Sequence, residues 1–214
     1  MASADWYFDF VSPFSYLQCE RLPALERAIR IRYKPVLFAA LLEASGTRGP
    51  AEIAAKRRFT YQFVVWQAKR AGVPLKFPAA HPFNPLPLLR LAVAADGDPE
   101  VVRRIFRFVW RDGRIGDLPI EWAELTTELD MPDAAMRIAS AEVKHALRRN
   151  TDDAIARGVF GVPTLAIGEE LFWGFDATEM AADYVAQGCR FTDPELTRVA
   201  SLPVGVVREA SRRK

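Results

Sequence analysis

The stretch WYFDFVSPFSYL, Trp6 to Leu17, changes period at one point, and that point limits what the chain can fold into. Trp6 to Val11 is aromatic and β-branched and reads as a buried strand. Ser12 and Pro13 then fit the cap and first position of a helix, where a serine oxygen accepts a first-turn N–H and a proline needs to donate none. Phe14, Leu17, Leu25 and Ile29 supply that helix with a buried face. Pro23 lies inside the pattern and predicts a kink or a broken second turn. Ile31 to Phe38 reads as a second strand.

Strand character returns only near the end of the chain. From about residue 40 to 157 the period is helical. Phe59, Phe63 and Trp66 recur at i, i+4 and i+7, with Gly72 and Pro74 as a stop. Asn84-Pro85, Asp98-Pro99 and Pro119 open further helices. Val102, Ile105, Phe106 and Val109 form a clear apolar stripe on one of them. Ser140 can cap a long last helix with Val143, Leu147, Ala154 and Ile155 on one side, and Gly158 ends it. The segment GVFGVPTLAIGEELFWGFDATEM then gives a strand at Thr164–Ile167, a turn near Gly168-Glu169 and a strand at Leu171–Trp173. Asp176 to Glu179 has capping-box spacing with Asp176 as the cap of a helix running to about Gly188. A short helix follows Asp193-Pro194.

An opening strand–helix–strand and a closing hairpin–helix each make half of a small sheet. The order is explained by an α/β fold: a thioredoxin-like sheet domain with a large all-helical insertion. The sheet domain would be discontinuous, residues 1–38 and 158–190, with the insertion over 39–157 and a tail over 191–214.

Composition narrows the function. A chain of 214 residues, half of them hydrophobic, has ample material for a core, and a net charge of +2 points to no nucleic-acid partner. The Arg212-Arg213-Lys214 end reads as a solvated terminus. Cys19 and Cys189 have no partner spacing, which argues against a disulfide framework, a zinc site and a redox pair. There is no basic region followed by an apolar core at the start and no run long enough to span a bilayer, so the expectation is a cytoplasmic protein without a membrane partner. His81 and His145 lack carboxylate or cysteine partners at metal-ligand spacing, so no metal is expected. Gly158 to Gly161 does not have phosphate-loop spacing, and Ser12 is not in a nucleophile elbow.

Two sites carry chemistry. Thiol-handling proteins often place Cys-x-x-Cys at a strand-to-helix junction; here the spacing holds Ser12-Pro13-Phe14-Ser15. Ser12 can be a plain cap. The same geometry also lets its hydroxyl, with the positive end of the helix, hold a thiolate that is not the protein's own. Ser15 reads as a helper or packing residue. Val162-Pro163 starts a strand after an apolar residue and is a candidate cis bond. That bond would turn the Val162 N–H and C=O toward the Ser12 helix end.

YFDFVSPFSYL together with GVFGVPTLAIGEELFWGFD, and HPFNPLPLLRLA between them, resembles the 2-hydroxychromene-2-carboxylate isomerase family. This family belongs to the DsbA-like thioredoxin branch, alongside kappa-class glutathione transferases. The resemblance implies glutathione as cofactor: Ser12 at its sulfur, Val162 at its cysteinyl part, and Asp176 with the N–H groups of Ala177 and Thr178 at the γ-glutamyl end. It implies reversible thiolate addition to an aromatic hydroxy-acid or benzylidenepyruvate-like substrate, followed by bond rotation and elimination. Phe14, Asn84, Trp173 and Phe175 are candidates to line the substrate cleft, and a homodimer is compatible with this reading. Two segments depart from the family. Relatives often read Trp-Gly-Asn-Asp-Arg where this chain has Trp173-Gly174-Phe175-Asp176-Ala177, and many carry Lys and Asn around a Thr-Gly pair where it has Glu43 to Thr47. A kappa-class-like glutathione transferase and a catalytically silent thioredoxin-like scaffold are the alternatives.

Overall fold

The computed structural model describes residues 3–206, so the Arg212–Lys214 end lies outside the described residues. Strand β1 (Ser3–Phe8) leads into helix α1 (Pro13–Cys19) and, past a break, α2 (Leu22–Leu25). The break falls at Glu20 and Arg21, just upstream of Pro23, as the proline requires. Strand β2 (Arg30–Pro35) returns parallel to β1.

Helices then follow: α3 (Phe38–Ala44), a 3-10 turn at Pro50–Glu52, α4 (Ala54–Ala71), α5 (Leu86–Ala94), α6 (Pro99–Trp110), α7 (Pro119–Glu128), α8 (Ala134–Ala139) and α9 (Ala141–Ala156). The hairpin β3 (Thr164–Ile167) and β4 (Glu170–Trp173) precedes α10 (Thr178–Ala186) and α11 (Pro194–Ala200). Strand order is β2-β1-β3-β4, with β3 antiparallel to both neighbours. This is the thioredoxin-like sheet with a helical insertion between β2 and β3.

β1 lies between β2 and β3 and is buried on both faces, which explains its consecutive aromatics Trp6, Tyr7 and Phe8. On one face Trp6 and Phe8 stack at 4.5 Å and meet Phe106 of α6 at 5.9 and 5.5 Å. On the other, Tyr7 packs with Val36, Ala154 and Ala166. Of the stripe on α6, Val102, Ile105, Phe106 and Val109 are all fully buried.

Two local expectations need correction, and α4 shows a face that its spacing left open. β1 stops at Phe8 rather than Val11, because Asp9 curls the chain: its carboxylate accepts the Val11 N–H at 3.0 Å and its carbonyl accepts the Ser12 N–H at 3.0 Å. β2 stops at Pro35 rather than Phe38, since the Phe38 N–H turns to the other Asp9 oxygen at 2.9 Å and opens α3. On α4 the helix is present and Gly72 closes it at φ 65°, but Phe59 and Trp66 are 66% and 51% exposed. The fully buried positions are Val64 and Ala68; the row Phe59–Phe63–Trp66 stacks at 5.8 and 6.0 Å, and its middle member Phe63 is half-buried, 6.1 Å from Phe14 of α1.

Candidate functional site

Ser12 caps α1 as its sequence context requires. Its backbone is extended, φ −92° and ψ 113°, and its Oγ accepts the Ser15 N–H at 3.2 Å. The side chain is buried, 6% exposed. The bond to Ser15 uses a lone pair and leaves the hydroxyl hydrogen uncommitted among the described residues. Pro13 has no N–H and Ser15's is taken, so Phe14 holds the one first-turn N–H of α1 without a partner among the described residues. Ser15 is fully buried and its Oγ has no hydrogen-bond partner among the described residues.

The Val162–Pro163 bond is cis. β1 and β3 pair antiparallel through Tyr7↔Thr164, so the cis bond enters β3 at the end of the sheet from which β1 leaves toward the Ser12 turn. Neither the N–H nor the C=O of Val162 has a partner among the described residues. The Pro163 carbonyl accepts the Gly174 N–H at 2.8 Å, which joins this segment to the loop after β4.

Gln18 ties that loop to α1. Fully buried, it accepts the Trp6 indole N–H at 2.6 Å and donates to the Gly174 carbonyl at 3.1 Å and to Thr178 Oγ1 at 2.8 Å. Thr178 in turn donates to the Phe175 carbonyl at 2.5 Å. Phe175 is buried and stacks on Phe14 at 6.2 Å and 14°, and the Arg21 guanidinium lies 4.8 Å from the Phe175 ring centre. Ser12, Phe14, Val162, Phe175 and Thr178 therefore belong to one connected region. Gly174 sits at φ 95°, a backbone conformation that a residue with a Cβ adopts only under strain, and the Asp176 carboxylate lies against its open face.

Other expected site residues are used differently. Asp176 is exposed and does not cap α10; Ala177 occupies the cap position, without a side-chain bond. Asp176 is folded back over Gly174 instead. The N–H groups of Ala177 and Thr178 are spent in successive turns, on the Gly174 and Phe175 carbonyls at 3.2 and 3.3 Å. The partnerless first-turn donors of α10, among the described residues, are those of Glu179 and Met180. The turn at Gly174 separates Trp173 from Phe175: Trp173 is 54% exposed, packs on Phe160 at 5.0 Å and lies over Gly161, where a Cβ would meet its Nε1 at 2.5 Å. Asn84 is exposed and its side-chain Oδ1 accepts the Leu86 N–H at 3.1 Å, the turn that starts α5.

Sequence reasoning missed Gln18, Arg21 and Asp9. The signal for Asp9 was visible as one acid in the apolar run WYFDFV. It is fully buried, with no cation beside it among the described residues, and burial pushes its carboxyl up to about 7 against two backbone hydrogen bonds. Cys19 is buried as well, and desolvation raises its thiol. Among the described residues no cluster of three or more His, Cys, Asp or Glu could hold a metal, and no helix is long and apolar enough to cross a membrane.

A family model described as a DSBA-like thioredoxin domain matches residues 4–186. A 2-hydroxychromene-2-carboxylate isomerase of Pseudomonas putida is 33% identical over 87% of this chain and 95% of its own. Glutathione S-transferase kappa 2 of Caenorhabditis elegans is 28% identical over 85% of this chain and 91% of its own. A solved structure of a 2-hydroxychromene-2-carboxylate isomerase superposes with a TM-score of 0.79 at 28% identity, over 93% of this chain and all of that one. The chain belongs to the DSBA-like thioredoxin family and, within it, to the 2-hydroxychromene-2-carboxylate isomerases, which makes it an isomerase.

Proposed function

We propose that the protein is a glutathione-dependent isomerase acting on an aromatic hydroxy-acid of the 2-hydroxychromene-2-carboxylate or benzylidenepyruvate type. The observation that carries the reading is the Ser12 turn: a buried hydroxyl with an uncommitted hydrogen at a helix start, beside a cis-proline segment whose preceding backbone groups are unspent. Glutathione fits this donor set, and relatives that carry its name support it. When bound it supplies a thiolate that adds reversibly to a conjugated double bond, so that rotation and elimination return it unconsumed.

The chain's own residues do the rest. Ser12 donates its hydroxyl hydrogen to the sulfur and holds it ionised, with the Phe14 N–H as second donor. The Val162 N–H and C=O pair with the cysteinyl backbone as an added strand. Glu179 and Met180 offer N–H groups to the γ-glutamyl carboxylate, and Arg21 offers the cation that position 177 lacks. Phe14 and Phe175 form an apolar wall for the substrate ring. We place the protein in the cytoplasm, in keeping with two unpaired cysteines, and treat a homodimer as compatible with the exposed Phe59 and Trp66 on α4.

The test is turnover of a benzylidenepyruvate-type acid with and without glutathione. Isomerisation that requires glutathione and leaves its concentration unchanged supports the reading. Stoichiometric glutathione consumption would point instead to transfer, the chemistry named for the kappa-class relative.

A further inference from the structure

The peptide unit between Val11 and Ser12 is held at both ends. Its N–H donates to the Asp9 carbonyl at 3.0 Å. Its C=O accepts from His81 Nε2 at 2.8 Å, a residue 70 positions away in the helical insertion. With both bonds made, the peptide plane cannot rotate, and its orientation sets the direction of the Ser12 side chain. We propose that His81 is a positioning residue for Ser12: it pins the Val11 carbonyl and thereby aims the hydroxyl that receives the thiol.

The geometry fixes the ring's protonation as well as its place. A carbonyl oxygen only accepts, so Nε2 carries the hydrogen. Nδ1 is then the acceptor, and the Tyr61 hydroxyl lies 2.6 Å from it. Arg57 completes the arrangement from α4: its Nε donates to the Tyr61 oxygen at 3.0 Å and its Nη2 to the His81 carbonyl at 2.7 Å. Every polar atom of His81 except its backbone N–H is thus engaged, and the bonds agree on a single tautomer. The other sides of the ring are aromatic: Tyr61 and Trp110 at 5.4 Å, Phe77 at 6.3 Å and Phe83 at 6.4 Å. Burial and the Arg57 charge both push the imidazole below its ordinary value, which keeps Nδ1 an acceptor at neutral pH. Arg57 and Tyr61 also line an open pocket of about 370 Å³, so the network runs from the surface of the insertion to the Ser12 turn.

The consequence for the thiol rests on the glutathione reading above; the hold on the turn does not. Three variants separate them. His81→Leu removes both ring nitrogens, His81→Gln keeps an N–H that can reach Val11, and Tyr61→Phe leaves the ring in place but removes the hydroxyl that serves Nδ1, Arg57 and the His81 carbonyl. Two readouts apply to each folded variant: hydrogen exchange of the Ser12 amide without ligand, and kcat with the acid midpoint of thiolate absorbance for bound glutathione. His81→Leu is expected to speed Ser12 amide exchange about tenfold or more, to lower kcat by a similar factor through misplacement of the hydroxyl, and to raise the bound thiol midpoint. His81→Gln is expected to restore most of each, and Tyr61→Phe to show a smaller change in the same direction. Should His81→Leu fail to fold, Tyr61→Phe decides the matter by the same readouts. Unchanged exchange of the Ser12 amide in His81→Leu, or in Tyr61→Phe where the leucine variant does not fold, overturns the proposal. A parent protein that binds no glutathione overturns the cofactor reading alone, and amide exchange still judges the hold.

Discussion

Replacing Gln18 with leucine is the sharpest test of how the candidate site is held together. The side chain is fully buried and uses both ends of its amide, toward Trp6, Gly174 and Thr178. Leucine fills similar space but can satisfy none of them. The Trp6 indole N–H has no second acceptor among the described residues and would be left buried and unpaired, at about 1–3 kcal/mol. The other two acceptors keep partners: the Gly174 carbonyl still takes the Ala177 N–H, and Thr178 still donates to Phe175. Each loses about 0.5–1.5 kcal/mol. Set against these is the relief of no longer burying an amide, on the order of 1–3 kcal/mol. The net expectation is a loss of about 2 kcal/mol, or roughly 4–8 °C in melting temperature for a chain of this size. Thermal unfolding of Gln18→Leu against the parent measures it. The loop from Gly174 to Thr178 should also loosen, so glutathione affinity should fall with stability. A variant that melts within a degree of the parent and binds glutathione equally well refutes the role given to Gln18.

Further outcomes are expected. Arg21→Ala should weaken glutathione binding several-fold with little change in kcat, while leaving cysteinylglycine, which lacks the γ-glutamyl group, unaffected; equal losses for both thiols would remove Arg21 from that end of the site. Asp9 is protonated more readily folded than unfolded, so stability is full below the unfolded value near 4 and declines as pH rises toward about 7. At about 1.4 kcal/mol per unit the decline is at most roughly 4 kcal/mol. Asp9→Asn should flatten denaturation midpoints between those pH values, and an undiminished slope would show that another group titrates. Trp6→Ala should cost about 3–5 kcal/mol by opening a cavity against Phe8 and Phe106; a loss under 1 kcal/mol would contradict the packing described.

What was legible in the sequence was whatever depends on neighbours along the chain. The Ser12-Pro13 helix start, the Asp98 and Ser140 caps, the α6 stripe and the strand at Thr164–Ile167 are local, and each stands where its residues predict. The failures are tertiary. Asp176 has the spacing of a cap, but the reverse turns around Gly174 and Phe175 satisfy the backbone first and delay the helix to Thr178. Phe59 and Trp66 have helical spacing, which carries no statement of which face meets the core. Trp173 and Phe175 sit two apart, yet the chain turns at Gly174 and sends them to different neighbours. Gln18, Arg21 and His81 act across 156, 154 and 70 positions of sequence, distances at which no periodicity speaks.

The central claim is that Ser12 holds a borrowed sulfur as its anion. Difference absorbance of the glutathione thiolate, followed against pH in the parent and in Ser12→Ala, tests it most directly. The account predicts ionisation in the parent well below that of free glutathione, and a return toward the free value of about one unit or more in the variant, with activity largely lost. The same midpoint in both proteins, with turnover intact in Ser12→Ala, would contradict it.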